Sequence, residues 1–208
     1  MVRLQTGTGA LEWDGSGALR IEYAEALAGL GPRVLPIEAL RAVEVSAIEL
    51  TLELREHADP LLSVSGGSLA SIYRFEVAGA ERLASELRIA RARRGVPETA
   101  APAWLVATPP AADALQGKDA TVAVASGQLM FAYPRSASRR KKTEGNPRSV
   151  PLTDITAVSW EPGLFRIDTA RTPLERPKPR HDPAALRVPA RGFDALFFAA
   201  RLLTRIQP

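Results

Sequence analysis

Apolar and polar residues alternate without a break along residues 48–55, which read Ile-Glu-Leu-Thr-Leu-Glu-Leu-Arg. Because successive side chains of a strand point to opposite faces, this period of two predicts a strand with one buried and one solvated face. Shorter alternating runs at 11–13 and 18–23 flank a Gly-containing turn, and so do the runs at 121–125 and 128–133. Each pair is typical of a β-hairpin.

Two other segments follow a helical period instead. Within residues 80–94 and 190–206, apolar side chains recur every three or four positions, which places them on one face of a helix. Both segments carry arginines near their ends, and these complement the negative end of a helix dipole. We predict an amphipathic helix closing each half of the chain, with these residues on its buried face: Leu83, Leu87 and Ala90 in the first, and Phe193, Leu196, Phe197, Ala200 and Leu203 in the second.

The same patterns come in the same order in both halves, which indicates an internal repeat. Residues 33–43 (RVLPIEALRAV) and 148–158 (RSVPLTDITAV) both begin with Arg, place Pro between apolar residues and end in Ala-Val. Pro cannot donate a backbone hydrogen bond, so it suits the end or edge of a strand. We interpret His-Ala-Asp-Pro at 57–60 and His-Asp-Pro at 181–183 as matching turns, in which Asp bonds its own backbone.

These elements predict an α+β fold, mainly β, made of two tandem modules. Each module is expected to be a curved antiparallel sheet or partly open barrel capped by a C-terminal helix, which is a pleckstrin-homology-like (PH-like) plan. The modules are predicted at 1–95 and 116–208. Residues 96–115 are rich in Pro and Ala, a composition typical of an extended linker.

A family resemblance rests on short matches spread over nearly the full chain. The matching residues are Trp13-Asp14-Gly15, Val34-Leu35-Pro36-Ile37, Ala42-Val43, Asp59-Pro60-Leu61-Leu62, Tyr73-Arg74-Phe75, Val150-Pro151-Leu152, Val158-Ser159-Trp160 and Asp182-Pro183. At these positions the chain resembles the actinobacterial family of domain of unknown function 4429 (DUF4429). The resemblance implies a PH-like fold in each half and no established catalytic residue. The second half departs from the pattern, since it lacks Asp-Gly in its first turn.

Composition removes several classes of function. The chain has no cysteine, which excludes disulfides, thiolate catalysis and cysteine-ligated metal centres. It has no apolar run of the roughly 20 residues that cross a bilayer, and residues 1–7 lack the pattern of a signal peptide. We therefore expect a soluble, cytoplasmic protein.

Charge is distributed unevenly, and it marks the strongest candidate site. Residues 1–98 carry a net charge of −3, whereas residues 99–208 carry +7. Six basic residues between two predicted strands form the candidate polyanion- or partner-binding set, opposed only by Glu144: Arg135, Arg139, Arg140, Lys141, Lys142 and Arg148. Such a cluster attracts lipid phosphate, nucleic acid or an acidic protein.

Two features bear on that interpretation. The corresponding loop of the first half, residues 24–32, contains no basic residue, so the two modules are not expected to act alike there. A second basic stretch, residues 171–180, would enlarge the patch if it folded beside the first. A solvated charged loop without function remains the alternative. Nucleic acid is the less favoured partner, because no aromatic residue interleaves with the basic ones.

No residue pattern indicates catalysis, a cofactor or a metal. The histidines, His57 and His181, stand in different halves and are better explained by Asp-Pro turns. Glu49 and Glu53 lie on a solvated strand face, and the serines of residues 63–68 lack the glycine spacing of a nucleophile elbow or phosphate loop. We predict a non-catalytic binding or scaffold protein that acts through protein interaction or self-assembly. The alternatives are peripheral binding of anionic lipid or another polyanion, and a hydrolase with an unrecognised site.

Overall fold

The computed structural model describes residues 1–207, and these residues form two compact units. The first unit comprises Met1–Leu62 and Gly67–Pro109, and the second comprises Ser63–Gly66 and the chain from Pro110 onward. The predicted class, mainly β with helices, is confirmed. Within residues 1–207 the chain forms four antiparallel sheets, none closed into a barrel.

The first unit places seven strands in two sheets. Strands that follow one another along the chain are neighbours in each sheet, so both sheets are meanders. The first sheet contains β1 (Val2–Thr6), β2 (Gly9–Trp13), β3 (Ala18–Tyr23) and β4 (Arg33–Pro36), and the second contains β5 (Leu40–Val45), β6 (Glu49–Leu54) and β7 (Arg74–Glu76). The short helix α1 (Pro60–Val64) precedes β7 in the chain, and α2 (Glu81–Arg93) follows it.

The second unit has the same plan. Its first sheet contains β8 (Ala114–Gln116), β9 (Thr121–Ala125), β10 (Gln128–Ala132) and β11 (Arg148–Pro151). Its second sheet contains β12 (Ile155–Glu161), β13 (Leu164–Thr169) and β14 (Ala185–Arg187), and α3 (Asp194–Ile206) closes the unit. The order of strands and helix therefore matches that of the first unit.

The repeated Pro-containing segment marks the corner between the two sheets of each unit. Pro36 and Pro151 end the fourth strands, and a single 3₁₀ turn leads from each proline into the next strand. Both following hairpins then shift register one residue in, between Leu40 and Ala42 and between Ile155 and Ala157. Such a bulge bends a strand and increases its twist. The sequence repeat thus encodes a shared bend in the chain.

The two long helices bury most of the predicted faces, but Ala90 in α2 and Phe193, just before α3, are only half-buried. Leu83 and Leu87 are buried in α2, as expected from the spacing. In α3 the buried aromatic side chain is Phe198, which meets Phe165 edge-on at 5.5 Å, whereas Phe197 is half-buried and stacks on Phe193. Among residues 1–207, none of the helices has the length and apolar character needed to cross a membrane.

Part of the predicted Pro/Ala-rich linker is bonded to the first unit. Arg55 is only 7 % exposed, and its guanidinium donates to the carbonyl oxygens of Thr99 and Ala100 at 2.8 and 2.9 Å. The backbone amides of Ala101 and Val106 donate to residues 56 and 58 of the same unit. Residues 99–106 therefore follow the surface of the first unit.

Three details differ from the sequence predictions. Ile48 is 74 % exposed, because it lies in the turn between β5 and β6 and not on the buried face of β6. The short strands β1 and β8 were not predicted. The motifs His-Ala-Asp-Pro at 57–60 and His-Asp-Pro at 181–183 both lie between the second and third strands of a sheet, but at opposite ends of that connection. His57 comes soon after β6, whereas His181 lies just before β14.

Candidate functional site

A groove of about 1020 Å³ lies in the second unit. It is formed by the loop between β10 and β11, by the corner between β11 and β12, and by the loop between β13 and β14. The charged residues that line it are Arg140, Arg148, Arg171, Arg176, Glu144, Asp154 and Asp182. Hydroxyl groups line it as well, from Thr143, Ser149, Thr153, Thr156, Thr169 and Thr172. The groove thus joins the two basic stretches of the sequence in one place.

Arg148 lies on the wall of the groove in a fixed position. Its Nη1 donates to the carbonyl oxygen of Pro183 at 3.0 Å, and its guanidinium lies 5.7 Å from the centre of the Phe131 ring. Its Nε is 2.6 Å from Oε2 of Glu144, a side chain that is 54 % exposed. The arginine is therefore oriented by buried groups and neutralised by an exposed one.

Arg176 stabilises the loop between β13 and β14, which forms part of the groove. It pairs with Asp168 and lies 3.3 Å from Oδ2 of Asp182, and it also donates to the carbonyl oxygen of Ile167. The other carboxylate oxygen of Asp182 accepts the backbone amide of Ala184 at 2.9 Å, as the predicted Asp-Pro turn requires. Arg176 and Asp182 thus satisfy one another and fix the loop before β14.

Arg140 and Arg171 are arginines of the groove whose charge no carboxylate among residues 1–207 neutralises. Both are exposed, and neither makes an ion pair with any residue of the part of the chain that the structure describes, 1–207. One comes from each of the two basic stretches. A guanidinium presents donors in a planar fork that fits a carboxylate or a phosphate, so these two side chains can bind an anion directly.

The other members of the predicted basic set have different positions. Arg135, Arg139 and Lys142 do not line the groove, and the first two are exposed. The ammonium of Lys142 donates to the backbone oxygen of Arg135 at 3.0 Å. These residues add positive potential around the groove, whereas Arg140 and Arg148 contact it.

Lys141 is buried, with no exposed side-chain surface. Its ammonium lies 2.8 Å from Oδ2 of Asp119 and 2.7 Å from the carbonyl oxygen of Ala185, and Arg187 also bonds Asp119 at 3.0 Å. Burial lowers the pKa of Lys141, although Asp119 opposes the shift. Lys141 therefore anchors the basic loop to the unit and does not face an external anion.

The ends of the same loop are tied by Asn146. Its side-chain oxygen accepts the backbone amide of Tyr133 and its side-chain amide donates to the backbone oxygen of Tyr133, both at 2.9 Å. The loop is thus held at its base by Asn146 and at its tip by Lys141. This attachment sets the position of Arg140, the residue next to the buried lysine.

His181 lies among cations at the edge of the basic region. Its Nε2 is 2.9 Å from Nε of Arg180. Desolvation, followed by the charges of Arg180, Arg140 and Lys178, lowers the pKa of His181 below its ordinary value. The second basic stretch therefore does lie close to the first in the folded unit.

The first unit contains a closed counterpart of this arrangement. Arg33, which begins β4 as Arg148 begins β11, pairs with Asp59 at 2.8 Å, and the two side chains are 1 % and 0 % exposed. The hydroxyl of Tyr73 donates to Asp59 at 2.7 Å, and burial raises the pKa of Tyr73 well above its ordinary value. Oδ1 of Asp59 also accepts the amide of Leu61. Here the arginine is fully neutralised by buried groups.

The remaining candidates from the sequence do not converge on a site. The ring of His57 lies 5.9 Å from that of Trp104 in the first unit. Glu53 pairs with Arg41 at 2.8 Å, and Glu49 accepts the hydroxyl of Thr51. Within residues 1–207 no three or more His, Cys, Asp or Glu side chains are grouped in a way that could hold a metal ion.

Sequence reasoning missed the hydroxyl lining and the pairing of Arg176. The threonines are spread over three connecting segments and two strands, so only the folded chain brings them together. The sequence predicted a larger basic patch only if the two basic stretches folded side by side. In the structure, residues of both stretches line the same groove. A local signal for Lys141 was absent, because a basic run does not show which of its members is buried.

Comparison with known proteins finds a family match, and it lies within the second unit. Residues 126–203 match the model of the family described as domain of unknown function (DUF4429). They extend from the turn before β10 into α3, and so they include the whole groove. Comparisons with curated proteins and with solved structures give no match. Over residues 126–203, within its second unit, the chain is therefore similar to the DUF4429 family.

Proposed function

We propose that this protein is a non-catalytic binding protein of two PH-like modules, and that the second module binds an anionic group in its groove. One observation carries the proposal: the fold brings Arg140 and Arg171, from separate basic stretches, to the same polar groove as two unpaired guanidinium groups among residues 1–207. Their charge, the hydroxyl lining and the groove's size suit a ligand that carries phosphate or carboxylate groups.

The PH-like part of the proposal is supported by the plan of each unit. Four meandering strands, a sharp corner, three further strands and a closing helix recur in the same order. Fold alone does not determine function, so the binding proposal rests on the groove.

The non-catalytic part is supported by the state of two of the three carboxylates that line the groove; the third, Asp154, is exposed. Asp182 is held by Arg176 and by a backbone amide, and Glu144 is held by Arg148. A general acid or base needs a carboxyl group free to exchange a proton with a reacting atom. Both of these carboxylates are engaged in ion pairs.

The groove favours anion binding over the broader expectation of a scaffold. Four arginines, three carboxylates and six hydroxyl groups line it beside small apolar side chains, whereas the centre of a protein interface is usually depleted of charged residues. The anion's source is either a soluble polyanion or the surface of an anionic membrane. Both present phosphate oxygens, and they are distinguished by experiment.

The double variant R140S/R171S tests the proposal. We expect it to bind inositol hexakisphosphate at least about tenfold more weakly than the parent protein, because it loses two charge-assisted contacts. Isothermal titration calorimetry measures the change. The matched control is K118S/R191S, which removes two exposed charges of the same unit outside the groove.

Equal losses in the two double variants would contradict a site in the groove, since they would show only the effect of net charge. Flotation with phosphatidylcholine vesicles, with and without phosphatidylserine, separates the two sources. If the parent protein floats only with phosphatidylserine and R140S/R171S does not float, the ligand is a membrane surface. Binding of the soluble probe without flotation assigns a soluble anion.

A further inference from the structure

The two units differ at one position near the arginine that begins the fourth strand, which is Arg33 in the first unit and Arg148 in the second. Tyr73 directly precedes β7, and Ala184 directly precedes β14. The registers agree, because Phe75 pairs with Leu50 of β6 and Leu186 pairs with Phe165 of β13, one strand earlier in each case. Tyr73 and Ala184 are therefore structural equivalents.

The exchange of Tyr for Ala removes one bulky side chain from the wall of the groove. In the first unit the phenol of Tyr73 is 2 % exposed and packs beside Asp59 and Arg33. In the second unit Ala184 is one of the residues that line the groove, and it has no side-chain donor to offer a carboxylate. The second unit therefore lacks the hydroxyl that helps to hold the buried carboxylate in the first.

The carboxylate that pairs with this arginine also differs between the units: it is Asp59 in the first and Glu144 in the second. Asp59 is completely buried and cannot leave Arg33 without exposing two charges to a poor solvent. Glu144 is mostly exposed, and it comes from the loop between β10 and β11. Exchange of an exposed carboxylate for another anion has a small cost, since exposed ion pairs contribute little.

We infer that Glu144 is an internal stand-in for the ligand, and that a phosphate monoester displaces it from Arg148 when the groove is occupied. This inference rests on the proposed function and specifies its chemistry. Arg148 stays in place without Glu144, because Phe131 and Pro183 orient its guanidinium. Arg140 comes from the same loop and lines the same space, whereas the hydroxyl of Thr143 donates to the backbone oxygen of Arg140 at 2.8 Å.

The number of donors favours phosphate over carboxylate. The guanidinium groups of Arg140 and Arg148 and the hydroxyls of Thr169 and Thr172, which accept backbone amides, offer more donors than the two oxygens of a carboxylate can accept. A phosphate monoester presents three terminal oxygens and close to two charges. It can therefore replace the Glu144 carboxylate and also engage Arg140.

The variant E144Q tests the displacement. We expect it to bind the phosphate group about two- to fivefold more tightly, because the ligand no longer competes with an ion pair. The matched control is E161Q, since Glu161 is exposed, pairs loosely with Arg166 at 3.9 Å and lies outside the groove. Both variants change the net charge equally, so only E144Q should bind more tightly than the parent.

Two probes separate the source of the phosphate: glycerol 3-phosphate in solution, followed by NMR titration, and phosphatidic acid in phosphatidylcholine vesicles, followed by flotation. A gain for E144Q with either probe supports the inference and identifies the source. R148K keeps the charge but loses the fork, and we expect at least about tenfold weaker binding. Its thermal melting curve and that of E144Q show whether each variant is folded.

Failure of this inference is distinguishable from failure of the proposed function. If E144Q and E161Q bind equally while R140S/R171S loses binding, the groove is an anion site and Glu144 is not displaced. If none of the variants, nor the parent, binds either probe, the inference is overturned. Binding by R148K at the level of the parent also overturns it, because Arg148 would then not anchor the ligand.

Discussion

Replacing Asp59 with Ala is expected to destabilise the first unit by about 3–5 kcal/mol. The variant leaves the Arg33 guanidinium in the interior, where its side chain is 1 % exposed, without the carboxylate that neutralises it. Two of its nitrogen atoms, Nε and Nη1, already make no hydrogen bond within residues 1–207. The hydroxyl of Tyr73 also loses its acceptor. Several unfavourable terms therefore act together.

Urea unfolding followed by tryptophan fluorescence measures this loss. In a W160F background only Trp13 and Trp104 report, and both belong to the first unit. The matched control is E56A, which removes an exposed carboxylate from the same loop and should change stability by less than about 0.5 kcal/mol. A D59A variant as stable as E56A would show that Asp59 does not neutralise Arg33.

The triple variant R33M/D59L/Y73F shows whether D59A is unstable because Arg33 loses its charged partner or because the interior is packed less well. It removes every charge and hydroxyl of the cluster while keeping similar volumes, and such replacements are often neutral or stabilising. We expect it to recover at least half of the stability lost in D59A. A triple variant less stable than D59A would mean that packing, and not the uncompensated charge, causes the loss.

Replacing Lys141 with Met has the second largest expected effect, about 3 kcal/mol in the second unit. The methionine fills the space but leaves Asp119, which is 6 % exposed, with Arg187 as its cationic partner. The basic loop also loses its anchor to Ala185. Hydrogen exchange of the β9 and β10 amides measures the loss. The matched control R139M changes an exposed residue of the same turn and should have little effect.

The same pair predicts a change in acid stability. Desolvation opposes the shift, but the bonds from Lys141 and Arg187 outweigh it and lower the pKa of Asp119 below its ordinary value of 3.8. A carboxyl with a lowered pKa contributes stability above pH 3.8, and this contribution is lost as the pH falls through the pKa of the folded state. Removal of Lys141 raises that pKa toward 3.8, so K141M should lose less of its remaining stability than the parent as the pH falls below 3.8. Equal losses in K141M and the parent, followed by urea unfolding at each pH, would contradict the pairing.

Residue patterns predicted much of the fold because they are local. The alternation of residues 48–55 and the helical spacing of residues 80–94 each depend on neighbours in sequence, and both elements formed close to the expected bounds. The Pro-containing segment at 33–43 and 148–158 also predicted the end of a strand in each half, and Pro36 and Pro151 end β4 and β11. The strand β8 has three residues, too few to show a period of two, and so it was missed.

The site was predicted only in part, because burial of a charge depends on distant partners. Arg140 and Lys141 are neighbours in a basic run. Lys141 is buried because it pairs with Asp119, whereas Arg140 lines the groove. The sequence separates Lys141 from Asp119 by 22 residues, and no periodicity connects them. In the same way, the repeat places Arg33 and Arg148 together, but only the folded units show that Tyr73 closes one site and Ala184 leaves the other open.

Two-dimensional NMR of the ¹⁵N-labelled protein during a titration with glycerol 3-phosphate shows whether the groove binds an anion. We expect saturable shifts in the amides of Arg140, Thr143, Arg148 and Thr172, and in the side-chain Nε signal of Arg148, with the first unit unaffected. Shifts spread over exposed basic residues of both units, or confined to residues outside the groove, would contradict binding in the groove.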